Sequence, residues 1–409
     1  ISSDDDYKKV LQSLTDRSTF TQDLESTLLT FTARLKSGNF NFRIKEIENF
    51  STSLKGQLTS FIFNNDIQSA VIGQIQDLPA QAMHYREYSL GYSLPFRNHK
   101  FSAGIRAKIY FGKAAIVSGL SGSIHTISNN YILRAGGKIN LSIPMAQTSQ
   151  NGESTTTLSL SGSNTMDYLM KSGNTGFGAD LGIKYTINPN LVFSLSVIDL
   201  GRIDWKTNLN SKVFDGEYSI SKRNISSNMS GNGTETITKN FRNSSFADSI
   251  PNIFRQTFDT TRFTTSLPVN IYAGIKYRIS PKITINLVDR YMLLKKLNYN
   301  SFAFMASFEM NKILSVSTGY ATISKSYANV PLAILFHEDW GQMFVGTENL
   351  LAFIIPSHSD FAGISFGTCF YLFKNRNLSK SLSDDYPFYR QKSPRRNQNS
   401  GLIVKEYTE

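Results

Sequence analysis

The chain has 409 residues, 40% of them hydrophobic and 18% charged, with 43 Lys and Arg against 31 Asp and Glu for a formal charge of +12. That length would hold several soluble domains, yet no Pro/Ser/Gly-rich linker divides residues 1–370, and the one cysteine, Cys369, excludes a disulfide framework and any cysteine-built zinc site. The basic residues are scattered rather than gathered on one stripe, which argues against a nucleic-acid partner and fits contact with anionic outer-membrane lipid or lipopolysaccharide.

No stretch of about 18 apolar residues occurs, so the sequence predicts no transmembrane helix. It opens at Ile1 without a methionine or a charged-then-apolar leader, which reads as a processed chain or a fragment. Residues 1–26 read as a short helical or irregular segment, with Ser3 or Asp4 placed to cap a turn or two through Tyr7, Val10, Leu11 and Leu14. From there the period becomes two. Leu29, Phe31, Ala33 and Leu35 alternate with polar residues, Lys36-Ser37-Gly38-Asn39 turns, and Phe40, Phe42 and Ile44 resume the alternation.

The next hairpin sets Tyr88, Leu90, Tyr92, Leu94 and Phe96 against Phe101, Ala103, Ile105, Ala107 and Ile109. With Phe96 facing Phe101, every later apolar residue also meets an apolar one. The construction recurs around Asn188-Pro189-Asn190, Ser280-Pro281-Lys282 and Asn311-Lys312-Ile313. Further strands are predicted at Tyr131 to Ile143, Val330 to Phe336, Gln342 to Leu350 and Phe361 to Phe373.

These elements predict an all-β fold, a transmembrane antiparallel up-and-down β-barrel of about 14–16 strands across residues 27–374, followed by a polar periplasmic tail at 375–409. Strands of 11 or more residues match a tilted crossing of a bilayer and exceed the usual strand of a soluble sheet. Tight turns alternate with long connections, notably Ala146 to Asn174 and Lys206 to Arg262, and aromatics flank the turns as an interfacial girdle requires. The stretch Ser365 to Leu372 has the spacing of a closing strand. If it descends to the periplasm, all five tight turns fall on that side, in a bacterial outer membrane. The first hairpin then starts with a descending strand, and an even barrel needs an ascending strand ahead of it.

The segments His84 to Tyr92, Gly38 to Glu46, Phe111 to Ala114, Val197 to Gly201 and Val345 to Leu350 resemble a family of uncharacterised Bacteroidota outer-membrane barrels, themselves loosely similar to long-chain fatty-acid transporters. The resemblance spans Tyr7 to Phe373 and implies the barrel fold without catalytic residues. Members carry a signal peptide and an early Asn-Pro-Ala segment not found here, so the resemblance implies a truncated start.

On the polar faces, Glu87, Arg106, Lys108, Arg134, Lys138, Asp180, Lys184, Lys276, Arg290 and Glu309 are the candidate lumen-facing charges. Unpaired, their excess of Lys and Arg would select anions; paired across strands, they would only hold the wall. Gly91, Gly104, Gly136, Gly178, Gly182, Gly274 and Gly367 on the same faces would admit a close-packed plug. None of His84, His99, His125, His337 and His358 stands at metal-ligand spacing, so neither cofactor nor metal is expected. Ser357-His358-Ser359-Asp360 has hydrolase residue types, but neighbours in sequence do not form a relay, and no enzyme is expected. Ser249 and Thr260 fit an Asp-Ser/Thr-apolar O-glycosylation pattern. The resulting expectation is a non-enzymatic accessory subunit of an outer-membrane assembly, concerned with secretion or surface proteins and partnered by other outer-membrane or periplasmic proteins. The alternative is a passive channel or transporter for hydrophobic or anionic small molecules.

Overall fold

The period of two along the chain is realised as strands nearly throughout. The computed structural model describes residues 17–35, 37–55, 74–96, 100–127, 130–143, 146–150, 153–157, 168, 170, 173–221, 255–293, 298–323, 326–338, 340–356 and 359–371. Within them run β1 (Arg17–Leu35), β2 (Gly38–Lys55), β3 (Gln74–Phe96), β4 (Phe101–Ile127), β5 (Asn130–Ser142), β6 (Ala146–Gln150), β7 (Glu153–Thr157), β8 (Asn174–Asn188), β9 (Leu191–Trp205) and β10 (Ser211–Ser221). They are followed by β11 (Arg255–Asp259), β12 (Phe263–Ser266), β13 (Val269–Ser280), β14 (Ile283–Leu293), β15 (Tyr299–Glu309), β16 (Leu314–Ile323), β17 (Ser326–Asn329), β18 (Leu332–Glu338), β19 (Gly341–Thr347) and β20 (Ile364–Phe370). One short helix, α1 (Leu351–Ile354), lies between the last two strands.

Eighteen strands form a single sheet in which every pairing is antiparallel, and β6 and β7 form a separate hairpin. The second hairpin has the predicted register, Phe96 against Phe101 and then Leu94, Tyr92, Leu90 and Tyr88 against Ala103, Ile105, Ala107 and Ile109. The strand ends that flank the short connections of β1 to β2, β3 to β4, β8 to β9, β13 to β14, β15 to β16 and β18 to β19 all lie at one end of the sheet. Phe96 and Phe101 meet there at 6.0 Å between centroids, and Trp340 and Phe370 at 5.6 Å.

Several expectations are corrected. β1 starts at Arg17, ten residues before the predicted barrel boundary. Its first half, rich in Thr, Gln, Asp and Glu, alternates too weakly to be read as a strand. The two long connections are not loops throughout: β6 and β7 pair with each other in one, and in the other β10 pairs with β5 and carries β11, so that cross-strand pairing orders residues that have little alternation of their own. Among the described residues thirteen strands reach the tight-turn end, namely β1, β2, β3, β4, β8, β9, β13, β14, β15, β16, β18, β19 and β20. Among the described residues β1 pairs only with β2 and β20 only with β19, so the sheet has two edges where a closed barrel has none. The predicted helix at Ser3 to Leu14 and the tail at 375–409 lie outside the described residues.

The sheet forks at β4. Phe101–Gly112 pair with β8, whereas Ala115–Ile127 pair with β5, which carries β10 and β11 in turn. Two other strands are interrupted where proline removes a ladder donor: Pro268 separates β12 from β13, and Pro331 separates β17 from β18.

Outer and inner faces differ as a membrane barrel requires. On β3 the inward residues Met83, Tyr85, Glu87, Ser89 and Gly91 are all buried, while Leu90 on the outer face is 51% exposed. The outer face of β8 presents Phe177, Leu181, Ile183, Tyr185 and Ile187, all exposed. This apolar band ends in charge. Above Ile44 and Tyr88, which pair, the outer face of β2 and β3 turns to Glu46 against Arg86 and Glu48 against His84. Glu46 accepts hydrogen bonds from Arg86 Nε at 2.5 Å and pairs with His84 Nε2 at 2.9 Å, and Tyr168 caps His84 Nδ1 at 2.6 Å. Burial and the nearby Glu48 and Glu46 carboxylates push the Tyr168 phenol up to about 12. From the tight turns to this belt the band is about 10 residues tall, the length of one tilted bilayer crossing.

Candidate functional site

The interior wall of β2, β3, β4, β8 and β9 gathers the charges that alternation had placed on polar faces. Lys108 Nζ, buried, lies 3.3 Å from Glu87, 2.8 Å from Asp180 and 2.6 Å from Asp199. Arg43 reaches the other oxygen of Glu87 at 3.3 Å, and Arg106 donates to Asp180 at 3.1 Å and to Asn41 at 3.3 Å. Three cations thus face three carboxylates, and the separate pair of Lys45 and Glu25 is also neutral. Unpaired buried charges carry desolvation costs of several kcal/mol each (roughly, per ion), which mutual pairing offsets.

Asp199 had not been singled out as a site residue. It sits at φ 63°, an uncommon conformation outside glycine, where β9 bulges between the pairings Ala179–Leu200 and Leu181–Val197. Its backbone N–H donates to Asp180 Oδ1 at 2.9 Å, and its carboxylate accepts from Lys108. The bulge turns an extra side chain inward and Lys108 holds it there.

Above this network the interior is aromatic. Tyr85 and Tyr110 meet edge to face at 5.6 Å, and Trp205 stacks on Phe263 at 6.1 Å and donates Nε1–H to Thr265 at 2.9 Å. With Met83, Ala115, Ile203 and Leu267 they form a buried cluster inside the sheet. Glycines on the wall accommodate these rings. A Cβ on Gly178 would lie 2.6 Å from the Tyr110 hydroxyl, and one on Gly112 would lie 2.5 Å from the Trp205 ring. At these two positions, of which Gly178 belongs to the glycine set read from the sequence, the small residue receives an aromatic side chain from a neighbouring strand.

At the fork, Asn174 is wholly buried and uses its entire side chain. Its Oδ1 accepts from the N–H of Lys206 at 2.8 Å, the N–H of Thr207 at 2.9 Å and the Thr207 hydroxyl at 3.1 Å. Its Nδ2 donates to Ser142 Oγ at 3.2 Å and the Gly112 carbonyl at 3.4 Å.

The opposite wall is different in character. Arg290 lies 5.8 Å from the Tyr272 ring centre and 5.9 Å from that of Tyr299, and its Nε donates to Asn270 at 2.8 Å. Lower down, His337 pairs with Ser315 Oγ and Gln342 Nε2, each at 3.2 Å, a contact among β16, β18 and β19 with no sequence signal.

Of the predicted lumen charges, Glu87, Arg106, Lys108 and Asp180 converge in one network. Lys138, Lys184, Lys276 and Arg290 lie half-buried elsewhere along the sheet. Arg134 pairs with Glu217 at 2.6 Å and is 62% exposed on β5, beyond the fork, and Glu309 is exposed beside a tight turn, in phase with the half-buried Met305 and Ser307. Thr260 is exposed, as a modified residue must be, whereas Ser249 and the Ser357-His358 pair lie outside the described residues. No group of three metal-ligating side chains occurs among the described residues. A shallow apolar groove of about 210 Å³ under Phe353, lined by Leu332, Ile334, Val345 and Ile364, lies on the outer face.

These features define an all-β protein built on an up-and-down antiparallel sheet, with an apolar exterior and a polar, partly filled interior. The chain belongs to a family of unknown function, DUF5723, whose model matches residues 1–348. Among solved structures it is similar to the toluene transporter TodX of P. putida, at 9% identity, 81% coverage of each chain and a TM-score of 0.36. It is also similar to a mutant of the ferric enterobactin receptor PfeA of Pseudomonas aeruginosa, at 11% identity and a TM-score of 0.22 over 82% of this chain and 57% of the receptor. The chain thus spans little more than half the receptor's length. No curated protein matches the sequence.

Proposed function

We propose that this chain is a non-enzymatic barrel of the bacterial outer membrane acting as a structural or accessory subunit of an outer-membrane assembly, concerned with secretion or surface proteins. Its tight turns and residues 375–409 face the periplasm, its apolar band contacts lipid and lipopolysaccharide, and its partners are other envelope proteins. One observation carries the preference for this role over an open pore. The interior of β3 is buried at five successive inward positions, beside the ion network around Lys108 and an aromatic cluster. In planar bilayers the purified protein is expected to give no reproducible single-channel conductance, and in mild detergent it is expected to co-purify with stoichiometric partners. A steady ohmic conductance from the partner-free protein would sink the accessory role.

A second reading, a transporter for hydrophobic or anionic small molecules, is favoured by Arg290 between Tyr272 and Tyr299, where a cation flanked by aromatic faces suits an anion with an apolar body. It predicts that Arg290→Ala lowers solute uptake by proteoliposomes without changing the yield of folded protein.

A further inference from the structure

The charged belt that caps the apolar band is unevenly balanced, and its surplus supports an inference that rests on the membrane-barrel reading above. On β2 and β3 the outer-face cations are paired: Arg86 donates to Glu46, and His84 is held by Glu46 and Tyr168. Cross-strand partners lead from Arg86 through Phe111 of β4 and Thr175 of β8 to Asp204 of β9 and Thr264 of β12. At that place the outer face of β9 carries Arg202 and Asp204. Alternation fixes the face, because Ile203 and Trp205 are wholly buried on the other side. Lys206 and Arg262 are the residues next to the last registered pair, Trp205 and Phe263.

Arg202, Lys206 and Arg262 are all exposed. Asp204 is the carboxylate between them on β9, and it already accepts from the Thr264 hydroxyl at 2.8 Å. Among the described residues none of the three cations is joined to a carboxylate. Like charges gathered on two neighbouring strands repel one another unless an anion sits among them. Just below the cations the surface is apolar. Phe177 of β8 is the cross-strand neighbour of Arg202 and is 67% exposed, and Leu200, on the same face of β9, is 42% exposed. Cations above and hydrocarbon below fit an amphiphile with an anionic head, and basic side chains just outside the hydrocarbon layer attract such heads. The backbone under the cluster is held in place, since the N–H of Lys206 donates to Asn174 and Trp205 Nε1–H to Thr265.

We propose that Arg202, Lys206 and Arg262 bind the phosphate of lipopolysaccharide in the leaflet opposite the tight turns, with an acyl chain of the same molecule lying on Phe177 and Leu200. With the tight turns in the periplasm that leaflet is the outer one. General contact of the band with lipid becomes, at this place, a site with a defined headgroup.

The test uses the whole chain folded into phosphatidylcholine vesicles, with insertion checked by heat-modifiable migration. Energy transfer from the tryptophans to dansyl-labelled lipid A, with and without its phosphates, reports how strongly each form gathers at the protein. The phosphorylated form should be clearly preferred. Arg202→Gln, Lys206→Gln and Arg262→Gln should each weaken its binding about fivefold, and the triple variant on the order of a hundredfold. Removing three exposed cations at the tight-turn end instead, by Lys100→Gln, Lys282→Gln and Lys312→Gln, should change it by less than about twofold, because screening confines the attraction to nearby charges. Equal binding of the two forms of lipid A, or an equal loss in the tight-turn control, would overturn the site and leave the barrel standing. Displacement by inorganic phosphate would make this a site for a soluble anion, and equal gathering of phosphatidylglycerol would make it a general anionic-lipid surface. Either result overturns the proposal. A chain that does not insert into the vesicles would end the barrel reading and the site together.

Discussion

Replacing Asn174 by alanine removes the residue on which the fork in the sheet converges. The side chain is fully buried and makes five hydrogen bonds, three accepted and two donated. In Asn174→Ala the N–H groups of Lys206 and Thr207 lose their acceptor, and Ser142 loses a donor. Each buried group left unpaired costs about 1–3 kcal/mol, with the lower end applying to Lys206, which is exposed and open to water. The expected destabilisation is about 2–5 kcal/mol. Trp205 lies beside Gly112 and is one of only two tryptophans, so a Trp340→Phe background leaves it as the sole reporter. Urea unfolding of the refolded protein in lipid, followed by Trp205 emission, gives the change in stability. Ser142→Ala breaks the same network, because Ser142 Oγ also donates to the Thr207 carbonyl at 2.8 Å. The double variant should therefore fall short of additivity by about 1 kcal/mol. A loss below about 0.5 kcal/mol for Asn174→Ala would refute the view that this side chain holds the fork.

Lys108→Met should be among the most damaging single changes, costing about 3–5 kcal/mol by stranding Asp199 and leaving Glu87 and Asp180 with one cation each, and should be read as loss of the heat-modifiable folded band on gels. Gly178→Ala places a methyl against the Tyr110 ring and hydroxyl and should cost about 1–3 kcal/mol, partly recovered by Tyr110→Leu; equal stability of the single variant would contradict the packing. The membrane band is tested by charge. Leu90→Arg, in the middle of the apolar outer face, should cost about 2–4 kcal/mol, whereas Leu24→Arg, level with Glu48 at the charged belt, should cost at most about 1 kcal/mol; similar costs at both sites would misplace the bilayer. Arg134→Gln removes an exposed pair with Glu217 and should change stability by less than about 1 kcal/mol.

The neutrality of the interior network alters what the basic composition implies. An excess of 43 cations over 31 anions suggests an anion-selective path only if the excess faces the interior. In the network of β2, β3, β4, β8 and β9 it does not, since Arg43, Arg106 and Lys108 there each have a carboxylate partner.

Strand identity was legible because alternation is a local property: successive side chains leave a strand on opposite sides, whatever it pairs with. Phe96 and Phe101 were enough to set the register of β3 on β4, since a slip by one residue would turn every apolar side chain to the wrong face. The shared side of the tight turns followed from counting. What alternation could not convey is which inward residues meet. Lys108, Glu87, Asp180 and Asp199 come from four strands, and their meeting depends on one bulge in β9 that changes the phase of its inward residues. The fork at Asn174 and the ordering of β10 by β5 depend on partners 32 to 91 residues away along the chain, a relation with no local period to read. The sequence by itself thus determined the strands, their faces and the side of their turns, which are short-range geometry. Only the tertiary structure decided that the charges around Lys108 cancel, that glycines receive aromatic rings and that the two edges among the described residues run parallel, because these depend on distances between strands.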